Sequence, residues 1–151
     1  KKTNSEIKLH MIGKLQTNKV KLAVQIFDYI HSVDSEKLAR KIADEQSKIN
    51  KNIKIFLQVN IGNEYQKSGI NKHETERLVS FSKGIGLNVI GLMCIPPMNI
   101  DPEVYFVEMN KLKKDFGFDE LSMGMSSDYL TAIKHLSTYV RIGSSIFGQR
   151  S

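Results

Sequence analysis

The chain has 151 residues, 40% of them hydrophobic and 25% charged, which is the composition of one ordinary globular domain able to bury a core. The formal net charge is +6, but lysines never exceed two in a row and few of the 22 basic residues are arginines. Arginine dominates the recognition of nucleic-acid phosphates and bases, so scattered lysine indicates a solvated surface and no nucleic-acid partner. Attraction of small anionic ligands is compatible with this charge.

Cysteine content and hydropathy restrict the cellular setting. Cys94 is the only cysteine, so an internal disulfide is impossible and a reducing compartment is expected. It lies in an apolar run, where a buried inert thiol is the ordinary outcome. No apolar run has the length of a membrane span, and the first residues lack a signal-peptide core. We expect a cytoplasmic protein without a membrane partner, and one that is a piece of something longer.

Apolar, β-branched segments alternate along the chain with stretches of helical periodicity. Strands are predicted over residues 9–12, 29–33, 53–60, 87–95, 120–123 and 139–142. Helices are predicted over residues 19–27, 34–49, 71–84, 101–116 and 128–135. Such alternation is typical of an α/β fold in which helices cover a parallel sheet.

Local signals mark several boundaries of these elements. Asp34-Ser35 offers an N-cap for the second helix. Asn71 and Glu74, three residues apart, resemble a capping box at the start of the third helix. The polar residues 62–69 are predicted to form the loop that leaves the third strand.

Two architectures fit this order of elements. An open doubly wound sheet suits a chain of 151 residues, whereas a complete (β/α)₈ barrel usually needs about 250 residues. Length by itself therefore favours the open sheet.

Glycine-serine turns after the last two predicted strands favour the barrel instead. Gly124 with Ser126-Ser127-Asp128 follows one strand, and Gly143-Ser144-Ser145 follows the other. Each turn is predicted to offer backbone N–H groups and hydroxyls to an anion, and together they suggest one phosphate site. Phosphate sites in these barrels are frequently built by the loops after strands seven and eight. On that count, strands three to eight of a partial TIM-type barrel are present.

Seven segments, taken together and in order, resemble the pyridoxal 5'-phosphate homeostasis protein family. They are Leu9-His-Met-Ile-Gly-Lys-Leu-Gln-Thr-Asn-Lys19, Ile30-His-Ser-Val-Asp34, Gln58-Val-Asn60, Lys67-Ser-Gly69, Gly91-Leu-Met93, Leu121-Ser-Met-Gly-Met-Ser126 and Val140-Arg-Ile-Gly-Ser-Ser-Ile-Phe-Gly148. The resemblance implies a barrel of the alanine racemase N-terminal type. It also implies a carrier or regulator of pyridoxal 5'-phosphate (PLP) in the cytoplasm, without established catalysis.

The resemblance also implies the cofactor-binding residues. Ser126 and the backbone N–H groups of Gly143 and Ser144 would hold the phosphate, and Arg141 would face the pyridine nitrogen. Arginine has no acceptor and keeps its proton, so this neighbour disfavours the pyridinium form and weakens the ring as an electron sink. The resemblance gives no catalytic residue and no metal ligand.

One part of the family pattern has no match in these 151 residues. The lysine that anchors PLP lies on the family's first strand, and a Gly-Glu-Asn-Tyr motif lies near its second. We therefore expect one N-terminally incomplete barrel domain over residues 1–151. Its open strand edges would take a complementing N-terminal chain or a second copy. Lys67, in the loop after the third strand, is a hypothetical substitute anchor.

Simpler interpretations accompany each of these assignments. Arg141 could form a structural ion pair, and Ser126 could cap a helix. The histidines are expected to be satisfied or on the surface, although His10 could line the barrel. Two other functions remain open, a partner-dependent or non-functional fragment of the barrel and an α/β enzyme acting on a phosphate substrate.

Overall fold

The computed structural model describes residues 6–98 and 100–148, and there strands alternate with helices as predicted. The strands are β1 (His10–Met11), β2 (Tyr29–Val33), β3 (Lys54–Asn60), β4 (Ile70–Asn71), β5 (Asn88–Cys94), β6 (Glu120–Met125) and β7 (Tyr139–Arg141). The helices are α1 (Val20–Ile26), α2 (Glu36–Lys48), α3 (Thr75–Gly84), α4 (Glu103–Asp115), α5 (Tyr129–Lys134) and α6 (Ser144–Phe147).

All the strands are parallel and form one sheet, in the order β1-β2-β3-β5-β6-β7. The short strand β4, which was not predicted, pairs with the end of β3 through Val59 and Asn60. It follows the polar loop and returns the chain to the sheet before α3. The predicted α/β class with a parallel sheet is confirmed.

Ring contacts across the sheet decide between the two architectures. The rings of His10 on β1 and Tyr139 on β7 lie 5.7 Å apart between centroids. Strands stand about 4.8 Å apart, so five spacings in a flat sheet would separate β1 from β7 by roughly 24 Å. The sheet therefore curls until its first and last strands face each other. The partial barrel is confirmed, and the open sheet favoured by chain length was wrong.

The main core lies between the convex side of this sheet and the helices. Alternate residues of β3, among them Ile55 and Leu57, are fully buried there together with Leu78 of α3 and Phe106 of α4. Side chains alternate along a strand, so Phe56 projects to the concave side, where it stacks under His31 at 4.3 Å. Burial of apolar residues on both sides fixes the strand register.

The prediction for Gly124 needs correction, because this residue lies inside β6 and not in the turn that follows. Its φ is +94°, and a Cβ built there would stand 2.6 Å from the Cβ of Ala132 on α5. Glycine is required because it adopts positive φ and lets the helix approach the strand. The turn itself begins after Met125.

Helix starts were predicted with mixed success. Ser35 is the N-cap of α2, and its hydroxyl accepts the Leu38 N–H at 3.4 Å. The capping box at Asn71 is not formed, because a 3₁₀ turn precedes α3 and the Asn71 side chain instead donates to Glu74 at 3.4 Å.

Across residues 6–98 and 100–148, no helix is both long and apolar enough to cross a membrane.

Candidate functional site

The two predicted turns meet at the carboxyl ends of β6 and β7. The hydroxyl of Ser126 accepts the backbone N–H of Gly143 at 3.2 Å. Asp128, and not Ser126, occupies the N-cap of α5, and its carboxylate accepts the Met125 N–H at 2.6 Å, which closes the first turn. The capping interpretation of Ser126 was therefore wrong, and its hydroxyl joins the two turns.

The second turn runs directly into α6, which starts at Ser144. The first N–H groups of a helix have no carbonyl partner within it, so those of Ser144 and Ser145 can donate to a ligand. Both residues are exposed. The Ser126 hydroxyl and these N–H groups form a set of donors on one side of the mouth.

Arg141 is held by three hydrogen bonds at the last position of β7. Its Nη1 donates to the carbonyl oxygen and to the hydroxyl of Ser122, and its Nη2 donates to the carbonyl of Cys94, each at 2.8 Å. A guanidinium has five N–H groups, so two remain for a ligand. No carboxylate of the described segments forms an ion pair with Arg141, so the ion-pair interpretation was wrong.

Burial lowers the pKa of Arg141 from its ordinary value, while Cys94 and Asp128 act in the opposite direction. Arginine titrates so far above neutrality that the guanidinium stays charged. A fixed positive charge with two free donors therefore stands at the carboxyl end of the sheet. It suits an uncharged or anionic acceptor.

Sequence reasoning missed the support beneath Arg141. The Ser122 hydroxyl also lies 2.8 Å from Nδ1 of His31, and Nε2 of His31 lies 2.9 Å from Nδ1 of His10. Burial, reinforced by His10 and Arg141, lowers the pKa of His31 to about 3. Tyr29 and His31 alternate with the buried residues Ile30 and Ser32 in β2, and this alternation could have placed both rings inside the barrel.

Lys67 lies in the loop between β3 and β4. Its ammonium pairs with Glu64 at 2.6 Å and donates to the carbonyl of Pro96 at 3.0 Å. Pro96 follows β5 by two residues, so Lys67 lies at the same edge of the sheet as Cys94.

Burial raises the pKa of the Cys94 thiol to about 12 and keeps it protonated, as expected for an inert cysteine.

The donors at this mouth fit a ligand rich in acceptors. The turn after β6 offers a hydroxyl, the start of α6 offers backbone N–H groups, and the last residue of β7 offers a guanidinium. At one end of such a ligand, a phosphate accepts hydrogen bonds from the hydroxyl and the backbone N–H groups. At its other end, an unprotonated aromatic nitrogen accepts a hydrogen bond from the guanidinium. The residues present therefore match a phosphorylated pyridine such as PLP.

Comparison with known proteins agrees with this fold. A family model described as alanine racemase, N-terminal domain, matches residues 3–151. The pyridoxal phosphate homeostasis protein of Vibrio alginolyticus is 37% identical over 156 aligned positions, covering 97% of this chain and 67% of that protein. The protein of the same name in Escherichia coli (strain K12) is 34% identical, covering 93% of this chain and 64% of that protein. The chain spans about two thirds of the length of these relatives.

Solved structures give the same result. PipY of Synechococcus elongatus without PLP superposes with a TM-score of 0.89 at 30% identity, covering 96% of this chain and 73% of PipY. PipY with PLP bound gives a TM-score of 0.78 at 31% identity, with 95% and 71% covered. The arginine decarboxylase of Paramecium bursaria Chlorella virus superposes with a TM-score of 0.66 at 19% identity, with 89% of this chain and 44% of the decarboxylase covered. At this identity the similarity shows the fold alone.

Proposed function

The chain belongs to the alanine racemase N-terminal domain family, with the pyridoxal phosphate homeostasis proteins as its relatives, and on this premise we propose that it binds PLP. The cofactor occupies the mouth formed by the carboxyl ends of β6 and β7. The protein acts in the cytoplasm as a carrier or regulator of PLP and not as an enzyme. The contact between Ser126 and Gly143 carries this proposal, because it brings together two turns that both offer hydrogen-bond donors to an anion.

The phosphate of PLP accepts hydrogen bonds from the Ser126 hydroxyl and from the N–H groups of Gly143 and Ser144. Gly143 donates to Ser126 in the present structure. A phosphate oxygen is the stronger acceptor and would take over the Gly143 N–H, while the Ser126 hydroxyl, which only accepts in this bond, can donate its own proton to the phosphate.

The free N–H groups of Arg141 donate to the pyridine nitrogen. A nitrogen that accepts from a guanidinium cannot also carry a proton, so the ring stays neutral. Bound PLP supplies an aldehyde and an electron-withdrawing ring, and the neutral ring withdraws electrons less strongly than a pyridinium. This favours storage of the cofactor over catalysis with it.

Lys67 is the candidate for holding the aldehyde covalently. It lies at the same edge as the phosphate site and would have to leave Glu64 and the Pro96 carbonyl. Borohydride reduction of the PLP-loaded chain, followed by peptide mass spectrometry, tests this. One adduct at Lys67, lost in Lys67→Ala and kept in Lys48→Ala, supports the role. Adducts scattered over surface lysines contradict it.

Titration of the chain with PLP, followed by absorbance, tests the phosphate site. Ser126→Ala should weaken binding about tenfold, on the scale of one or two lost hydrogen bonds. Ser127→Ala is the matched control, because Ser127 is exposed beside the turn, and it should change the affinity less than about twofold. Equal affinities for wild type and Ser126→Ala would contradict the proposed site.

A partner-dependent form of the same function is the second candidate. Within the described residues, β1 pairs only with β2 and β7 only with β6, so both edges of the sheet are open. Apolar side chains are exposed beside them, including Leu22 on α1 and Leu130 and Ile133 on α5. Such edges pair readily with another chain. Gel filtration distinguishes the candidates, since a monomer that binds PLP argues against this one.

A further inference from the structure

A chain of four polar side chains crosses the interior of the barrel from β1 to β7. His10, His31, Ser122 and Arg141 lie on β1, β2, β6 and β7, respectively. Successive polar atoms are 2.9, 2.8 and 2.8 Å apart. Since β2 and β6 are not neighbours in the sheet, the link between His31 and Ser122 spans the concave side directly.

Counting donors and acceptors sets the direction of this chain. The Ser122 hydroxyl accepts from Arg141, and in the described segments its other polar contact is Nδ1 of His31. Ser122 is fully buried, so its own proton needs an acceptor, and Nδ1 is the one available. Nε2 of His31 then carries its proton and donates to Nδ1 of His10.

The surroundings keep both histidines neutral. His31 is packed against Phe56 and Tyr139 and faces His10 and Arg141. Burial lowers the pKa of His10 as well, against the opposing effect of Asp28. A neutral His31 can accept at Nδ1, whereas an imidazolium would have only donors and would turn the Ser122 hydroxyl away.

We propose that His31 is a positioning residue for Arg141, acting through the Ser122 hydroxyl. The inference rests on the proposed function, in which Arg141 meets the pyridine nitrogen of PLP. His31 orients the hydroxyl, the hydroxyl fixes Nη1, and the remaining N–H groups of Arg141 are thereby aimed at the ring. His31 does not touch the cofactor.

The protonation pattern is measurable without any ligand. Long-range ¹H–¹⁵N correlation spectra of the imidazoles at pH 7 should show His31 as the neutral Nε2–H tautomer. A proton on Nδ1 of His31, or a cationic ring, would overturn the proposal. The Arg141 Nη groups should rotate slowly and give separate signals in the wild type, and these should merge in His31→Phe. Unchanged signals in that variant would also overturn it.

A double-mutant cycle on PLP affinity tests the route through Ser122. His31→Phe and Ser122→Ala should each weaken PLP binding by about fivefold to tenfold, as expected for one hydrogen bond. The double variant should be no weaker than either single variant, because both changes break the same link. Additive losses would mean that His31 acts by another path, and the proposal would fail.

Conservative replacements separate positioning from packing. Asn at position 31 places an amide near Nδ1 and can still accept from Ser122, so His31→Asn should retain affinity within about twofold. Gln reaches toward Nε2 and loses that link, so His31→Gln should resemble His31→Phe. Equal losses in both would indicate a merely structural role. Wild-type chain that does not bind PLP would contradict the proposed function alone, because the ligand-free spectra still decide the role of His31.

Discussion

The hydroxyl oxygen of Ser122 lies 2.8 Å from Nδ1 of His31, although the two residues are 91 positions apart and on strands that do not pair. This contact exists because the sheet curls into part of a barrel and brings β2 over β6. It also supports Arg141, which donates to the same hydroxyl. The Ser122 hydroxyl thus connects the curvature of the sheet, which brings His31 to it, with the orientation of the proposed ligand-binding arginine.

Replacing Gly124 by alanine should destabilise the protein severely. Alanine at this position would have to adopt a positive φ. Its Cβ would lie 2.6 Å from the Cβ of Ala132 and 3.0 Å from the Cα of Tyr129. Backbone strain and overpacking together predict a loss of about 2–5 kcal/mol in the free energy of unfolding. Urea denaturation of Gly124→Ala measures the loss.

Gly84→Ala is the matched control for that experiment. Gly84 ends α3, and a Cβ there would meet nothing within 4 Å. Alanine is favoured over glycine in helices, so this variant should be unchanged or more stable by up to about 1 kcal/mol. Equal behaviour of the two variants would contradict the close approach of α5 to β6.

Acidification should weaken the fold through His31 before the carboxylates protonate. The pKa of His31 is about 3 in the folded chain against an ordinary value of 6.5, so the unfolded state binds a proton first as the pH falls. The contribution of neutral His31 to the free energy of unfolding is fully present above pH 6.5 and is lost progressively toward pH 3. Between pH 7 and pH 5.5 we expect a loss of about 1 kcal/mol in unfolding free energy, measured from urea midpoints.

Two variants identify the residue responsible for this pH dependence. His31→Asn should remove most of the loss between pH 7 and pH 5.5, because asparagine does not titrate and the remaining part comes from His10, whose pKa is also lowered by burial. His73→Gln should retain it, since His73 is exposed. An unaltered pH profile in His31→Asn would show that another group titrates in this window.

Arg141→Lys should lower stability by about 1–3 kcal/mol even without a ligand. An ammonium cannot reproduce the planar fork that reaches Ser122 and the Cys94 carbonyl at once, and a buried acceptor would lose its donor. Arg77→Lys is the control, because its side chain is 74% exposed and pairs with Glu36 at the surface. The midpoint of thermal unfolding should fall clearly in Arg141→Lys. In Arg77→Lys the free energy of unfolding should change by less than about 0.5 kcal/mol. Similar shifts in both would contradict the structural role of Arg141.

The Cys94 thiol should resist modification in the folded protein. It is fully buried, and burial raises its pKa to about 12, so the reactive thiolate is scarce. Ellman's reagent at pH 8 should label one thiol only after addition of denaturant. Rapid labelling of the native chain would mean that the carboxyl end of β5 opens readily.

Much of the fold was predictable because strands and helices are encoded by local periodicity. Six strands were placed to within a few residues. The turns that hold Ser126 and Gly143 were predicted to form one phosphate site, and in the structure these two residues are hydrogen-bonded. The two-residue strand β4 was missed because it is too short for any periodic pattern. Curvature was inferred from the position of the turns, and chain length pointed the other way.

The support of Arg141 could not be predicted from the same signals. His31 and Ser122 come together only through the closure of the sheet, and no local pattern encodes a contact between distant strands. The assignment of Gly124 to a turn failed for a related reason. Its glycine is required by the packing of α5 against β6, which depends on tertiary structure.

An NMR titration of the ¹⁵N-labelled chain with PLP tests the central claim most directly, because it reports on each backbone N–H separately. If the phosphate binds as proposed, the largest shifts occur at the amides of Gly143 and Ser144, with smaller ones at Ser126. They should saturate together with the absorbance change of PLP. Shifts confined to lysine-rich surfaces such as Lys113-Lys114, or no shifts at all, would contradict PLP binding at the mouth formed by β6 and β7.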